Sequence, residues 1–206
     1  LEVTFADTSA VTDATNMFCL NENLTSIPAL VIQHCPSLYC MFYKCSNLTY
    51  IDCRNFDMSK VTNVENFTWM CKNLVTIDAT GWDMSNVNNM YTMFINANAL
   101  KEIKGIEDWN VSNAKTLISV FYACKALTSL DLSKWNVENA TTIWWMFNGC
   151  TSLTTLNLSN WHLTNCIDFT EPFKNCKVLN TITMTHSDYN TVNNIIAQLP
   201  TKTAAA

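Results

Sequence analysis

Ten cysteines and three histidines are the residues of this 206-residue chain whose chemistry could support disulfides, metal binding or nucleophilic catalysis. The best zinc candidate is the group His34, Cys35, Cys40 and Cys45, which lacks the paired C-x-x-C spacing of structural zinc sites. No serine elbow, HExxH motif or glycine-rich phosphate loop accompanies it. The sequence therefore predicts a protein that is not an enzyme and has no catalytic residue, no metal and no cofactor.

The cysteines instead mark an internal repeat. Five of them stand three residues before a leucine that recurs every 26 or 27 residues, and packing explains them as small buried hydrophobes. The repeated leucines are Leu48, Leu74, Leu100, Leu127, Leu153 and Leu179. Equivalent cysteines in a stack point in parallel, which is poor geometry for a disulfide. We therefore expect a ladder of reduced thiols in the core.

Each repeat contains the elements of one coil of a solenoid. The L-x-x-L-x-L spacing that begins at the leucine predicts a short strand, and an aromatic residue after it predicts a packed corner. The corner residues are Phe56, Trp82, Trp109, Trp135 and Trp161. A polar turn follows, and then apolar residues in steps of three and four predict a short helix. The predicted fold class is an α/β repeat solenoid, a leucine-rich-repeat stack of about seven coils, each with a short parallel strand, a turn and a short helical return.

The repeats divide the chain into three segments. Residues 1–40 contain an N-terminal cap and a degenerate first coil around Leu24, and residues 41–189 contain the regular repeats of 26 or 27 residues. Residues 190–206 are predicted to form a C-terminal cap and tail.

The repeat motif resembles that of a known family. Met146-Phe147-Asn148-Gly149-Cys150 and Leu130-Asp131-Leu132-Ser133-Lys134-Trp135 are similar to the hallmark of the BspA-like leucine-rich-repeat surface proteins, as is Ser85-Asn86-Val87-Asn88-Asn89-Met90. The resemblance implies a cell-surface adhesion or host-interaction module of bacteria or protists, and similar repeats occur in phage proteins. It implies an extracellular or cell-surface location, although no signal peptide is visible in the sequence.

Composition limits the kinds of partner. The formal net charge is −5, and no run of Lys or Arg could follow a phosphate backbone, so we expect no nucleic-acid partner. No stretch approaches 18 uninterrupted apolar residues, so we expect no membrane-spanning helix. The partner implied by the resemblance is a protein or glycan on a host or neighbouring cell, and the oligomeric state stays open.

The predicted binding surface lies on the return segments. On a helical wheel, the positions nine and five residues before each leucine face away from the buried stripe, yet most of them are aromatic or aliphatic. The predicted ligand-binding residues are Tyr39, Tyr43, Trp69, Tyr91, Ile95, Ile118, Tyr122, Trp144 and the adjoining Trp145.

Two alternatives to this binding surface stay open. The first is that the return is irregular and buries half of these side chains. The second is a structural or assembly domain of a larger surface or phage protein, in which the same face mediates self-association. The opposite, strand-bearing face is polar, and we interpret it as an ordinary solvated surface.

Overall fold

The computed structural model describes residues 7–199, so the two ends of the predicted terminal segments lie outside the described residues. Six short strands repeat along this part of the chain: β1 (Tyr50–Asp52), β2 (Thr76–Asp78), β3 (Glu102–Lys104), β4 (Ser129–Asp131), β5 (Thr155–Asn157) and β6 (Thr181–Thr183). Successive strands pair in parallel except β3 and β4, and Ile51 stands opposite Ile77. The fold is therefore a parallel β-solenoid, in which the chain makes about five turns from the first strand to the last. The count of seven coils stays a prediction.

The strands form two sheets, in the orders β1-β2-β3 and β4-β5-β6. Strands β3 and β4 are not paired, and we call this interruption the seam. One repeat has 27 residues, and its extra residue lies in the segment after β3, at the seam. Here Gly105 has a left-handed φ of 83° and precedes a 3-10 helix at Ile106–Asp108. The tryptophan stack continues across the seam, since Trp109 after β3 and Trp135 after β4 have ring centroids 6.0 Å apart. The seam thus breaks the strand ladder and leaves the core continuous.

The return segments are not helices, so the predicted helical return is wrong. Within residues 7–199 the one α-helix is α1 (Tyr189–Ala197), and each return is a series of turns. Backbone donors in a return alternate between two acceptors: the Asn66 N–H donates to the Tyr91 carbonyl of the next coil at 3.1 Å, and the Phe67 N–H donates to the Val64 carbonyl of its own coil at 3.3 Å. A helix would direct every donor along its own axis. The return therefore combines turns with a ladder between coils.

A pair of left-handed residues explains why the helix does not form. The residues eight and four positions before each repeated leucine have positive φ, which interrupts a right-handed helix. These pairs are Cys40 and Lys44, Asn66 and Met70, Thr92 and Asn96, Ser119 and Ala123, Trp145 and Gly149, and Glu171 and Asn175. Only one of the twelve is glycine, the residue that would signal such a conformation in a sequence.

The core consists of ladders of equivalent side chains. The corner tryptophans are buried, and Trp109 and Trp135 stack with centroids 6.0 Å apart, which confirms the predicted corner. A phenylalanine ladder lies beside it, with Phe121 and Phe147 stacked at 5.5 Å. In the second regular repeat Phe67 stands one residue early and meets Phe42 edge-on, at an interplanar angle of 83°. The pairing register between the coils is nevertheless unchanged by this shift in the position of the phenylalanine.

Helix α1 covers the end of the stack after β6. Its N-cap is Asp188, whose side chain accepts hydrogen bonds from the backbone N–H and the hydroxyl of Thr191. Ile195 of the helix is buried. None of the helices between residues 7 and 199 has the length and apolar character needed to cross a bilayer.

Candidate ligand-binding face

The cysteine ladder is built for packing. The Cys45 thiol donates to the Phe18 carbonyl of the preceding coil, with 3.0 Å between Sγ and O, and the other ladder cysteines make the equivalent bond. Burial raises the pKa of Cys45 to about 12 and that of Cys176 to about 11. All ten cysteines are free thiols. Such thiols stay protonated at neutral pH and are poor nucleophiles or metal ligands.

The zinc candidate does not assemble. In the described part of the chain, no three His, Cys, Asp or Glu side chains come together in a way that could hold a metal ion. The Cys35 thiol instead donates to the Val11 carbonyl at 3.4 Å.

The strand face is a network of paired charges. Arg54 donates from Nη2 to Asp52 Oδ2 at 2.7 Å, and Lys104 Nζ lies 3.7 Å from Asp78 Oδ2. The Arg54 hydrogen bonds hold the pKa of Asp52 below its usual range. Because Arg54 and Lys104 lie against Asp52 and Asp78, these two carboxylates do not form a free acidic site.

The predicted binding residues lie on the return face in two groups. Tyr39, Tyr43 and Trp69 are half-buried near the N-terminal end, where the Tyr43 and Trp69 rings lie 4.8 Å apart. The other six line one cleft of about 280 Å³: Tyr91, Ile95, Ile118, Tyr122, Trp144 and Trp145. Tyr91 and Trp144 are 40% and 37% exposed, while the remaining four are half-buried.

The left-handed backbone brings a further repeat position into the lining of the cleft. Trp145, Thr92 and Ser119 all stand eight residues before a repeated leucine, and all three line the cleft, although the helical wheel did not select that position. Asn148, which the wheel placed on the outer face, is buried. The sequence signal that identifies Thr92 and Ser119 is their repeat position alone.

The rings in the cleft meet at angles. Trp144 and Trp145 have centroids 5.0 Å apart and an interplanar angle of 54°, and Tyr122 meets Trp145 at 5.7 Å and 40°. The Trp145 indole N–H donates to Glu171 Oε2 at 3.1 Å, and Lys174 Nζ lies 2.8 Å from the other carboxylate oxygen. The hydrogen bond from Lys174 has the largest effect on the pKa of Glu171, which it lowers, and the bond from Trp145 lowers it further. This network fixes the orientation of the Trp145 ring.

A second apolar cleft lies at the C-terminal end of the stack. It has a volume of about 430 Å³ and is lined by β6 and α1 through residues that include Ile182, Met184, Val192 and Ile196. Sequence reasoning does not identify it as a site, because its lining combines repeat positions of the last coil with apolar residues of the predicted C-terminal cap. Ile182 is half-buried, whereas its equivalents in the preceding strands are buried.

The fold and its repeated faces define the class, a parallel β-solenoid repeat protein. The chain belongs to the family described as "Mycoplasma protein of unknown function, DUF285", whose model matches residues 2–102 and 66–187. A solved structure with some similarity is that of a leucine rich cell surface protein from Faecalibacterium prausnitzii, at 14% identity and a TM-score of 0.28, covering 88% of this chain and 71% of that one. No curated protein matches the chain.

Proposed function

We propose that the chain is a non-enzymatic recognition and adhesion module that binds a protein or glycan through the return face. The observation that carries the proposal is the cleft with Tyr91 and Trp144 exposed on its rim. A contiguous exposed apolar patch often marks an interaction site, and Tyr and Trp are enriched at binding hot spots. The strand face, with its paired charges, offers no comparable apolar surface.

The residue pattern also supports this proposal. Positions that build the stack repeat in every coil, whereas the position held by Tyr91, Ile118 and Trp144 varies between coils. The scaffold does not require aromatic residues at that position, since Glu65 and Thr170 occupy it elsewhere. Variation of outward residues on a constant framework is how repeat proteins acquire different partners.

The proposed location is a cell or virion surface. It rests on the resemblance of the repeats to BspA-like surface proteins, of which this chain would be a member. That resemblance also supports a partner on a host or neighbouring cell.

The experiment for this proposal is binding of the purified chain to a glycan array and to a panel of purified surface proteins. We expect the variant Tyr91→Ala/Trp144→Ala to lose binding, because it removes both exposed rings. The matched control is Tyr50→Ala, which removes an aromatic ring that is 43% exposed on the strand face. Binding that survives in the double variant and disappears in Tyr50→Ala would contradict the proposal.

Self-association through the same face is the second candidate function. The observation in its favour is that the apolar residues of the return face extend over several coils, from Tyr43 and Trp69 to Trp144 and Trp145. Light scattering separates the two functions. Assembly would be favoured if the molar mass of the parent chain grows with protein concentration and the Tyr91→Ala/Trp144→Ala variant keeps the mass of a monomer.

A further inference from the structure

The centre of the cleft is a notch between two aromatic residues. Tyr91, Ile118 and Trp144 hold the same repeat position in three successive coils, and the middle residue is the smallest of the three. Neighbouring parallel strands are about 4.8 Å apart, so Tyr91 and Trp144 are separated by about 10 Å along the stack. The two outer residues are exposed and Ile118 is half-buried, so Ile118 forms the floor of the notch.

These dimensions fit a compact cation. A group midway between the two outer repeat positions lies about 5 Å along the stack from the backbone of each. A cation held there can approach an aromatic face to within the distance of about 6 Å at which the two attract each other. The remaining lining residues include Tyr122 and Trp145, which add two more rings. Several aromatic side chains around one apolar notch are the arrangement that recognises quaternary ammonium groups.

Charge favours the same class of ligand. None of the residues that line the cleft is Lys or Arg, and the Glu171 carboxylate that accepts from the Trp145 indole N–H offsets the charge of the adjacent Lys174. The formal net charge of the chain is −5. A cation therefore meets no repulsive charge in the notch and is attracted by the field of the whole protein.

The rings of the cleft do not share one plane. The Trp144 and Trp145 planes differ by 54°. Angled rings provide walls on more than one side of a small rounded group.

We infer that the notch binds a trimethylammonium group on the proposed protein or glycan partner, with free choline as the probe, and this inference rests on the proposed recognition function of the same face. The group would belong to a protein or glycan and not to a bilayer lipid, because no Lys or Arg lines the cleft to add attraction to an anionic membrane surface.

The test is a titration followed by nuclear magnetic resonance, with the indole N–H signals as the readout. Choline is compared with its neutral tert-butyl isostere, which has the same shape and lacks the charge. We expect choline to bind about tenfold more tightly than the isostere, because cation–π attraction distinguishes the two. Tyr91→Ala and Trp144→Ala should each weaken choline binding, whereas Tyr50→Ala should leave it unchanged.

Four results would overturn the inference. Equal affinity for choline and the isostere would identify a merely hydrophobic notch, and choline binding that persists in both cleft variants would place the ligand elsewhere. Absence of any shift with choline would reject the ligand class. In that case binding in the glycan and protein panels would still support the recognition function, so the two failures are distinguishable. Co-sedimentation with phosphatidylcholine vesicles would overturn the assignment to a protein or glycan and would place the group on a lipid.

Discussion

The thiol of Cys124 donates to the carbonyl oxygen of Phe94 across 3.2 Å, from one coil to the coil before it. The bond joins residues 30 positions apart in the sequence and lies in the core, where both residues are buried. Each ladder cysteine thus fills volume and also satisfies a backbone acceptor of its neighbour. Ionisation of such a thiol places a charge in the core and removes its hydrogen bond, so it destabilises the packing around the sulfur.

This relationship predicts alkaline instability. Burial raises the pKa of the ladder thiols above the value of about 8.5 that cysteine has in an unfolded chain, so the unfolded chain releases these protons first. Their contribution to stability is complete below pH 8.5 or so and is lost as pH rises towards the folded pKa, which is about 12 for Cys45. Within that range each buried thiol should lower the free energy of unfolding by about 1.4 kcal/mol per pH unit.

The measurement is urea denaturation at several pH values between neutral and alkaline conditions. Cys150→Ala should reduce the slope of the free energy of unfolding against pH by the contribution of one thiol, although the variant is less stable overall. Identical slopes for the variant and the parent chain would show that the ladder does not control the alkaline transition.

The tryptophan ladder predicts a difference between two similar substitutions. The Trp135 indole N–H donates to the Ile106 carbonyl at 2.9 Å, whereas the buried Trp109 indole N–H has no acceptor within residues 7–199. We expect Trp135→Phe to cost about 1 kcal/mol more than Trp109→Phe, because only the first loses a hydrogen bond. Chemical denaturation followed by circular dichroism gives both values, and a larger loss for Trp109→Phe would contradict the prediction.

The glycine at the seam predicts a steric effect. Gly105 and Gly81 have similar left-handed φ values, 83° and 87°, so an alanine at either position is strained. A Cβ at Gly105 would lie 2.8 Å from the Thr80 Cα, whereas one at Gly81 would meet nothing within 4 Å. Gly105→Ala should therefore lower the free energy of unfolding by about 1–3 kcal/mol more than Gly81→Ala. Equal losses in thermal or urea denaturation would show that only the backbone conformation matters.

The return face should tolerate loss of its exposed rings. We expect Tyr91→Ala and Trp144→Ala each to lower the free energy of unfolding by about 1–2 kcal/mol, because these residues are 40% and 37% exposed and only part of each ring is buried. Phe121→Ala, a fully buried neighbour in the same coil as Ile118, should cost about 3–5 kcal/mol. A loss of that size for Tyr91→Ala would mean that Tyr91 belongs to the core and not to a binding surface.

The strands and the core could be predicted because their signal is repeated. The strand residue Ile77 stands 26 positions after Ile51, and the two are paired in the structure. The predicted helix in the return is wrong because turns produce nearly the same spacing of buried residues as a helix. Val87, Met90 and Phe94 are buried at steps of three and four, yet Thr92 between them has a left-handed backbone. A β-branched residue gives no warning of that conformation.

The candidate site was predicted in part for the same reason. Tyr91 and Trp144 are exposed, in agreement with the helical wheel. Their repeat position faces outward in the observed turns, as it would in a helix. Tyr122 and Trp69 are half-buried, because the turns after the left-handed residue bring them closer to the core. Their role in binding remains a prediction.

The seam interrupts the hydrogen bonds of the stack on the strand side only. Strands β3 and β4 are not paired across it, but the return ladder crosses without interruption, with the Thr92 N–H bonded to the Ile118 carbonyl at 2.9 Å and the Asn96 N–H to the Tyr122 carbonyl at 2.8 Å. The cleft lies on the return side and spans the seam, with Tyr91 before it and Ile118 and Trp144 after it. A bend that separated β3 from β4 would therefore change the curvature of the stack and leave the width of the notch unchanged.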